Sequence, residues 1–200
     1  MWHEVDINSI GFKLKKYEQP YIWIPINKGG EFRKWYGNND YIVNWFDDGN
    51  VLKKFKGSVI RNENYYFKKS ITWTMLSSKA FGVRASEEGR IFEGAGPSLF
   101  IDDNHMYNYV LGLMLSKIGS YVINMLNPTM NINIADISNI PIIYDKNSAN
   151  RINEIVERCI EISKNDWDSY ETSYGFKKHP LIEYKTNFSI KELKNGILIQ

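Results

Sequence analysis

The stretch of sequence that decides the fold is HMYNYVLGLMLSKIGSYVINMLNPTMNINIADISNIPII, which runs from His105 to Ile143. Its first part, residues 105–126, is apolar at most positions. A helix that is apolar nearly all round is buried, and the polar gaps here are too frequent for a membrane span of about 20 apolar residues. The pattern therefore predicts a long buried helix, ending at Asn127 and Pro128, on which the rest of the chain packs.

The residues after this helix are expected to return the chain to the same core. Residues 130–134 alternate between polar and apolar side chains, which is typical of a short strand. Residues 136–142 follow as an apolar stretch that contains a proline. We expect this return segment to support the elements of the first half.

The first hundred residues are organised as short strands between glycine-rich turns. Residues 47–50, DDGN, have the composition of a hairpin turn. This spacing predicts an α+β fold, with a β-rich domain over residues 1–145 that packs on the long buried helix. The strand candidates, rich in β-branched and aromatic residues, are residues 21–26, 41–46, 71–75, 81–84 and 90–93.

A second, amphipathic helix is expected over residues 148–164. Asn147 or Ser148 suits its N-cap position. We interpret residues 146–200 as a helical spacer with an extended tail over residues 174–181 and a short helix over 189–194. Packing of the amphipathic helix on its own domain is the favoured interpretation, and docking to a missing partner domain is the alternative. Its apolar side carries Ile152, Ile155, Val156, Cys159, Ile162 and Trp167.

Charge distribution narrows the possible functions. The net charge of the 200 residues is only +2, which excludes a globally polycationic nucleic-acid binder. Within residues 51–90, however, nine Lys and Arg stand against three Glu, a local net charge of +6. A local excess of this kind indicates a binding face.

Cysteine usage and the N-terminus indicate the compartment. Cys159 is the single cysteine, which excludes an intramolecular disulfide framework and a zinc site of several thiolates. The N-terminal sequence lacks the basic and apolar segments of a signal peptide. It also begins abruptly in ordered-looking sequence, so we expect a fragment of a larger cytoplasmic protein.

Catalytic motifs are sparse in this sequence. It contains neither a P-loop nor a dinucleotide-binding glycine motif. His3, His105 and His179 are too far apart in sequence to predict a metal site or a Ser-His-Asp arrangement.

One weak catalytic pattern consists of Asp168, Glu183 and Lys185. Their spacing is similar to that of metal-dependent nucleases, in which two carboxylates hold Mg²⁺ and a lysine steadies the attacking water. In those enzymes the second carboxylate lies on a buried strand, whereas here it lies in a polar, proline-flanked tail. A chance match is therefore the favoured interpretation.

Aromatic and basic residues alternate in three segments of the first half, residues 33–36, 61–69 and 77–84. Lys and hydroxyl side chains contact DNA phosphates, while Arg reads guanine and Asn reads adenine in the major groove. The pattern therefore favours duplex DNA binding. The alternative is that the rings belong to the core and the lysines are merely solvated.

A series of motifs carries a family resemblance: RKWYGN (33–38), YIVNW (41–45), GSVIRN (57–62) before YF (66–67), ITWT (71–74), GRIF (89–92), NPTMNI (127–132), DISNIPI (136–142), DWDSYETS (166–173) and HPL (179–181). Together they resemble the C-terminal target recognition region of the BREX phage-defence adenine-specific DNA methyltransferases (PglX-like). They are similar, more loosely, to type IIG restriction-modification enzymes and to half of a type I specificity subunit. The resemblance extends from about Tyr21 to Leu181.

The resemblance implies a sequence-specific recognition domain for duplex DNA that directs an adenine-N6 methyltransferase. Its partners would be double-stranded DNA and the methyltransferase domain of the same full-length chain. Catalysis in that family needs S-adenosylmethionine and an Asn/Asp-Pro-Pro-Tyr/Phe motif that grips the flipped adenine. NPTM at residues 127–130 is not that motif, so we expect a fragment that is not an enzyme and has no cofactor of its own.

Eleven residues of the first half are the expected DNA contacts. Arg33, Arg61, Arg84 and Arg90 are expected to contact bases or phosphates. Lys28, Lys34, Lys53, Lys56, Lys79, Ser77 and Ser78 are expected to contact phosphates. The alternative function is a protein-interaction module, which an exposed apolar patch without a basic concavity would favour.

Overall fold

The computed structural model describes residues 1–76 and 80–183. Within them the strands are β1 (Trp23–Asn27), β2 (Ile42–Asn44), β3 (Ser70–Trp73), β4 (Val83–Ser86), β5 (Ile91–Phe92) and β6 (Ser98–Leu99). The α-helices are α1 (Phe46–Lys54), α2 (Asn104–Leu115), α3 (Lys117–Leu126), α4 (Ile134–Ser138), α5 (Lys146–Asp168) and α6 (Pro180–Glu183). Single 3₁₀ turns span Trp2–Glu4, Ile7–Ser9 and Glu63–Tyr65. The predicted α+β class is confirmed.

The strands form two small sheets. In the first, in the order β2-β1-β5, β1 pairs antiparallel with β2 and parallel with β5. In the second, in the order β4-β3-β6, both neighbours of β3 are antiparallel to it. A buried polar contact joins the sheets, because Ser86 of β4 donates a hydrogen bond to Asn27 Oδ1 of β1 at 2.9 Å.

The larger core lies between the second sheet, α2 and α5. Trp73 and Val83 of the sheet pack in one cluster with Leu111 of α2 and Val156 of α5, all at most 2% exposed. Tyr107 of α2 is also buried, and its hydroxyl donates a hydrogen bond to the carbonyl of Ser70 at 2.8 Å. Each fully buried aliphatic side chain stabilises the fold by about 1.5–3 kcal/mol, so α2 is the helix on which this half is assembled.

The prediction of a single long helix over residues 105–126 is wrong. The chain breaks at Ser116, and α2 and α3 meet at an angle of 71°. Ser116 has extended backbone angles and its hydroxyl accepts the Gly119 N–H, so it is the N-cap of a new helix. Within residues 1–76 and 80–183, no single helix is both long and apolar enough to cross a membrane, although the bent pair α2 and α3 together passes that test of length and composition.

The predicted return strand over residues 130–134 is reduced to one bridge, between Asn131 and Leu76. The reason is local, because Asn133 and Asp136 form a capping box that starts α4 at Ile134. The segment still contributes to the core. Ile132 is buried, and its carbonyl accepts the indole N–H of Trp73 at 3.1 Å.

The smaller core lies under the first sheet. Ile24 of β1, Trp45, Tyr66 and Ile91 of β5 are buried together there. The Trp45 and Tyr66 rings meet edge to face with centroids 5.5 Å apart, a favoured aromatic geometry. This core supports α1, which begins directly after Trp45.

Helix α5 packs against α2, as the favoured interpretation of the amphipathic helix predicted. Its N-cap is Asp145, whose carboxylate accepts the N–H of Asn147 at 3.0 Å, rather than Asn147 or Ser148. Ile155 and Ile162, predicted on the apolar side, are 53% and 59% exposed. The helix is therefore buried along a narrower stripe than the sequence indicates.

Candidate nucleic-acid interface

Helix α1 begins with an unusual left-handed turn. Asp47, Asp48 and Gly49 all have positive φ, between 52° and 72°, so the predicted hairpin at residues 47–50 is wrong. Asp and Gly tolerate this conformation better than other residues. Gly49 is required for a second reason, because a Cβ there would lie 2.9 Å from the Trp45 ring.

Lys53, a predicted phosphate contact, holds α1 in place. Its ammonium group lies 3.0 Å from Asp48 Oδ2 and 2.7 Å from Glu63 Oε2. The pKa of Lys53 is raised, mainly by its hydrogen bond to Glu63. Lys53 therefore connects the left-handed turn to the following 3₁₀ turn, and its charge is already paired with two carboxylates of the protein.

Three other cations of this region point to solvent. Lys54, Lys56 and Arg61 are exposed, and in the described part of the chain none of them forms an ion pair. Exposed apolar side chains alternate with them. We call these six residues the α1 surface: Lys54, Lys56, Arg61, Val51, Phe55 and Val59.

Arg84, expected to contact DNA, lies in the interior and is 1% exposed. Its Nη1 donates a hydrogen bond to Thr74 Oγ1 at 3.3 Å, while its Nε has no partner among the described residues. Burial lowers the pKa of Arg84 to about 10. A guanidinium group that is covered on all sides cannot contact a phosphate or a base edge, which corrects the expectation for this residue.

Arg90 is also corrected from a DNA contact to an interior residue, since it is 4% exposed. Its Nη2 donates a hydrogen bond to the hydroxyl of Tyr174 at 2.9 Å. The guanidinium group also lies over the Tyr174 ring, 5.9 Å from its centroid. Arg90 therefore positions the segment around Tyr174.

Three further expected DNA contacts, Arg33, Lys28 and Lys34, lie within the first forty residues, and only the two lysines are exposed. Arg33 packs on the end of α5, with Nη1 3.2 Å from Asp166 Oδ2 and the guanidinium 4.8 Å from the Trp167 ring centroid. Lys28 and Lys34 are exposed and remain available for contact with a ligand. Lys28 lies over the Tyr41 ring at 4.7 Å.

The +6 charge of residues 51–90 does not form one continuous face. Arg84 and Arg90 are interior, and the ammonium group of the exposed Lys69 contacts α2, 4.1 Å from the Tyr107 ring centroid and 3.2 Å from Asn104 Oδ1. Ser77, Ser78 and Lys79 lie outside the described residues. The charge is therefore concentrated on the α1 surface and Lys68.

A groove that the sequence did not indicate lies between the N-terminal segment, the end of α5 and residues 174–178. It has a volume of about 1060 Å³. We call it the lysine groove, because Lys13, Lys164, Lys177 and Lys178 line it together with Asp168 and Tyr174. Residues 174–181 were predicted to form an extended tail. The Lys177-Lys178 pair beside aromatic residues is the sequence signal that could have indicated this groove.

The metal-dependent nuclease pattern receives no support in the described part of the chain. No group of three or more His, Cys, Asp or Glu there could hold a metal ion. Asp168 accepts a hydrogen bond from Ser173 Oγ at 2.6 Å and pairs with Lys164 at 3.1 Å. The Glu183 side chain and Lys185 lie outside the described residues.

Comparison with known proteins identifies relatives of this chain. No family model matches the sequence. It is 40% identical over 189 residues to the adenine-specific methyltransferase BrxX of Escherichia coli O9:H4 (strain HS), and 34% identical over 203 residues to the adenine-specific methyltransferase PglX of Lacticaseibacillus casei (strain Zhang). These matches include 93% and 95% of this chain but only 15% and 17% of the relatives' length. The chain is thus homologous to one small part of the BrxX- and PglX-type adenine-specific methyltransferases.

Proposed function

We propose that this chain is a duplex DNA recognition domain that supplies sequence specificity to an adenine-specific methyltransferase. The observation that carries the proposal is the α1 surface. Three cations without ion pairs among the described residues alternate there with apolar side chains that are 66–73% exposed at Phe55, Val51 and Val59. A surface of this kind combines groups for phosphates with groups for base edges.

Each kind of side chain on the α1 surface has a counterpart in a DNA duplex. Lys54 and Lys56 can neutralise phosphates, which positions the protein on the backbone. Arg61 can donate two hydrogen bonds to guanine in the major groove, and an apolar side chain such as Val59 can contact the thymine methyl group. Merely solvated lysines would explain the charge but not the exposed apolar residues between them.

The backbone of α1 suits a recognition element. Left-handed residues such as Asp47 persist only where the surrounding structure holds them, and they are concentrated at functional sites. Here the buried Trp45 indole donates a hydrogen bond to Asp48 at 3.2 Å, and Lys53 connects Asp48 to Glu63. These contacts anchor the stretch that carries the α1 surface at its two ends, at Asp48 and at Glu63.

The proposal assigns the chemistry to the remainder of a larger cytoplasmic methyltransferase. Adenine within a duplex is unreachable until it is flipped out of the stack into a catalytic pocket. That pocket and S-adenosylmethionine would belong to the other part, and this chain would select the site. The names of the two relatives support this division of roles, because both are adenine-specific methyltransferases in which the matched region is a small part.

The test is binding of the chain to duplex DNA at several salt concentrations. Each neutralised phosphate contributes about −0.9 to the slope of log affinity against log salt. We expect the triple variant Lys54→Gln, Lys56→Gln, Arg61→Gln to make that slope less steep by up to about 2.7, three times that value. Salt-independent binding, or an unchanged slope in this variant, would contradict the proposal.

A control variant can be made at the N-terminal end of α5, far from Lys164 in the lysine groove. Lys146 and Arg151 are exposed and form no ion pair among the described residues. Arg151 is 13 residues from Lys164, about 20 Å along the helix axis. Lys146→Gln with Arg151→Gln removes two positive charges, and we expect the slope to stay at its original value.

A second candidate function, a protein contact, is favoured by the outer face of α3. Ile118, Tyr121 and Met125 follow helical spacing and are 71%, 68% and 70% exposed. We propose that this face contacts the methyltransferase domain. Ile118→Ser with Met125→Ser should weaken association with that domain, measured by co-purification, and leave the DNA salt slope unchanged.

A further inference from the structure

We propose that the lysine groove binds the phosphodiester backbone of nucleic acid that continues beyond the segment held by the α1 surface. This inference rests on the proposed function and adds a second contact region to it. The groove lies between three segments that are distant in sequence, and its shape is maintained by specific contacts along each wall.

The first wall of the groove is held at Lys13. Lys13 has a left-handed backbone, with φ of 58°, and its side chain is exposed on the groove. The chain passes so close to Gly89 that a Cβ on Gly89 would lie 2.3 Å from the Lys13 nitrogen. Only glycine fits at position 89, since φ there is also positive at 84°.

The floor of the groove is an aromatic pair. The rings of Phe12 and Tyr174 stack with centroids 4.6 Å apart and an interplanar angle of 26°. The buried Arg90 fixes this pair from below through its hydrogen bond to the Tyr174 hydroxyl. The two segments that carry Lys13 and Lys177 are therefore joined by a defined contact.

The second wall is held by the end of α5. Asp168 accepts the hydroxyl of Ser173 at 2.6 Å, and the Ser173 oxygen accepts the N–H of Gly175 at 3.1 Å. A Cβ on Gly175 would lie 2.5 Å from the Asp168 carboxylate, so the chain turns tightly there. This turn directs the following Lys177 and Lys178 along the rim of the groove.

Charge decides which ligand class fits. Four lysines and two carboxylates line the groove, and subtracting two from four leaves a net charge of +2. Lys164 lies 3.1 Å from Asp168 and 3.7 Å from Glu87, so it neutralises much of both carboxylates. Lys13, Lys177 and Lys178 form no ion pair among the described residues, and they are the groups available to an anionic chain.

A short basic segment connects the lysine groove to the left-handed turn at the start of α1. Lys13 lines the groove, and four residues further along the chain the hydroxyl of Tyr17 accepts the N–H of Asp47 at 3.0 Å. Four residue steps span at most about 14 Å. Lys15 and Lys16, both exposed, lie between them, so one nucleic-acid backbone can follow this path from α1 to the groove.

The phosphodiester backbone could come from either of two sources, the continuing duplex or a single strand. Three probes separate them: a duplex of about one helical turn, roughly 10 base pairs, one of two turns, and the one-turn duplex with a single-stranded extension. The protein is the full 200-residue chain. Its variants are Lys13→Gln, Lys177→Gln, Lys178→Gln together, the α1 triple variant, and the control pair at Lys146 and Arg151.

We expect the groove variant to make the salt slope less steep by up to about 2.7 on at least one of the two longer probes. An effect on the two-turn duplex indicates duplex backbone, and an effect confined to the extended probe indicates a single strand. The α1 variant should affect all three probes.

Two outcomes would overturn the inference, and they differ in what they say of the proposed function. If the groove variant keeps the original slope on both longer probes while the α1 variant does not, the groove inference fails and the DNA recognition proposal stands. If no probe binds with a salt-dependent affinity, both fail. Loss of poly-glutamate binding in the groove variant with unchanged DNA slopes would assign the groove to an acidic protein instead.

Discussion

Arg90 Nη2 donates a hydrogen bond to the Tyr174 hydroxyl at 2.9 Å, across 84 positions of sequence. The contact joins the residue directly before β5 to the segment after α5. A residue that the sequence presented as a DNA contact is thus a positioning residue inside the protein. Its consequence for stability can be measured.

Tyr174→Phe keeps the stack with Phe12 and removes the hydroxyl. Arg90 Nη1 is already buried without a partner among the described residues, so the change leaves a second guanidinium nitrogen unsatisfied. Such a group costs about 1–3 kcal/mol, and we expect the free energy of unfolding in urea to fall by that amount. Tyr170→Phe, at a residue that is 56% exposed, should change it by less than about 0.5 kcal/mol.

Arg84→Met and Arg61→Met form a pair that separates a buried from an exposed arginine. Arg84 is a buried charge without a carboxylate partner in the described part of the chain, and replacing buried ionic groups by apolar ones is often neutral or stabilising. We expect Arg84→Met to retain or raise the free energy of unfolding and to keep the DNA salt slope.

Arg61→Met should change DNA binding rather than stability. It should leave stability unchanged and make the slope less steep by about 0.9. A shallower slope in Arg84→Met, or an unchanged one in Arg61→Met, would count against the assignment of the contact residues.

Gly49→Ala tests the left-handed turn of α1. At φ of 72°, with a Cβ 2.9 Å from the Trp45 ring, alanine is disfavoured both by its backbone and by its contact. We expect the free energy of unfolding, measured by thermal denaturation, to fall by at least about 1–2 kcal/mol. Gly94→Ala is the control, because a Cβ there meets no atom within 4 Å. Equal stability of the two variants would contradict a strained turn.

Lys69 makes a pH-dependent contribution. Burial lowers the pKa of Lys69 from its ordinary value of 10.5. At neutral pH the folded state therefore carries the cost of a partly buried charge. As the pH rises through the lowered pKa towards 10.5, the unfolded state holds more protons, so the stability of the parent protein rises relative to Lys69→Met.

Urea unfolding of the parent protein and Lys69→Met at pH 7 and near pH 10 measures this difference. A pH-independent gap for Lys69→Met would rule out the burial effect.

Local patterns predicted most elements but not their interruptions. The apolar run over residues 105–126 correctly predicted the buried helix α2, yet Ser116 ends that helix and caps α3, whose outer face is exposed rather than buried. A serine hydroxyl can serve either a solvent-facing helix position or an N-cap. Which of these is realised depends on where the turn meets the rest of the core, so the sequence pattern could not distinguish them.

The expected DNA contacts show the same division for individual side chains. Lys54, Lys56 and Arg61 are exposed, whereas Arg84 and Arg90 are covered although they belong to the same charged run. Residue type states what chemistry a side chain can perform, but its exposure depends on neighbours that are distant in sequence. For Arg90 that neighbour is Tyr174, and for Arg33 it is Trp167.

The apolar pattern of α2 and the short strands of the first hundred residues determined by themselves the α+β class and the location of the larger core. Hydrophobic periodicity acts over a few residues and survives in any packing, so it can be read directly. The 71° bend at Ser116, the interior position of Arg84 and the lysine groove were decided by tertiary structure. Each of these depends on contacts between segments that only folding brings together.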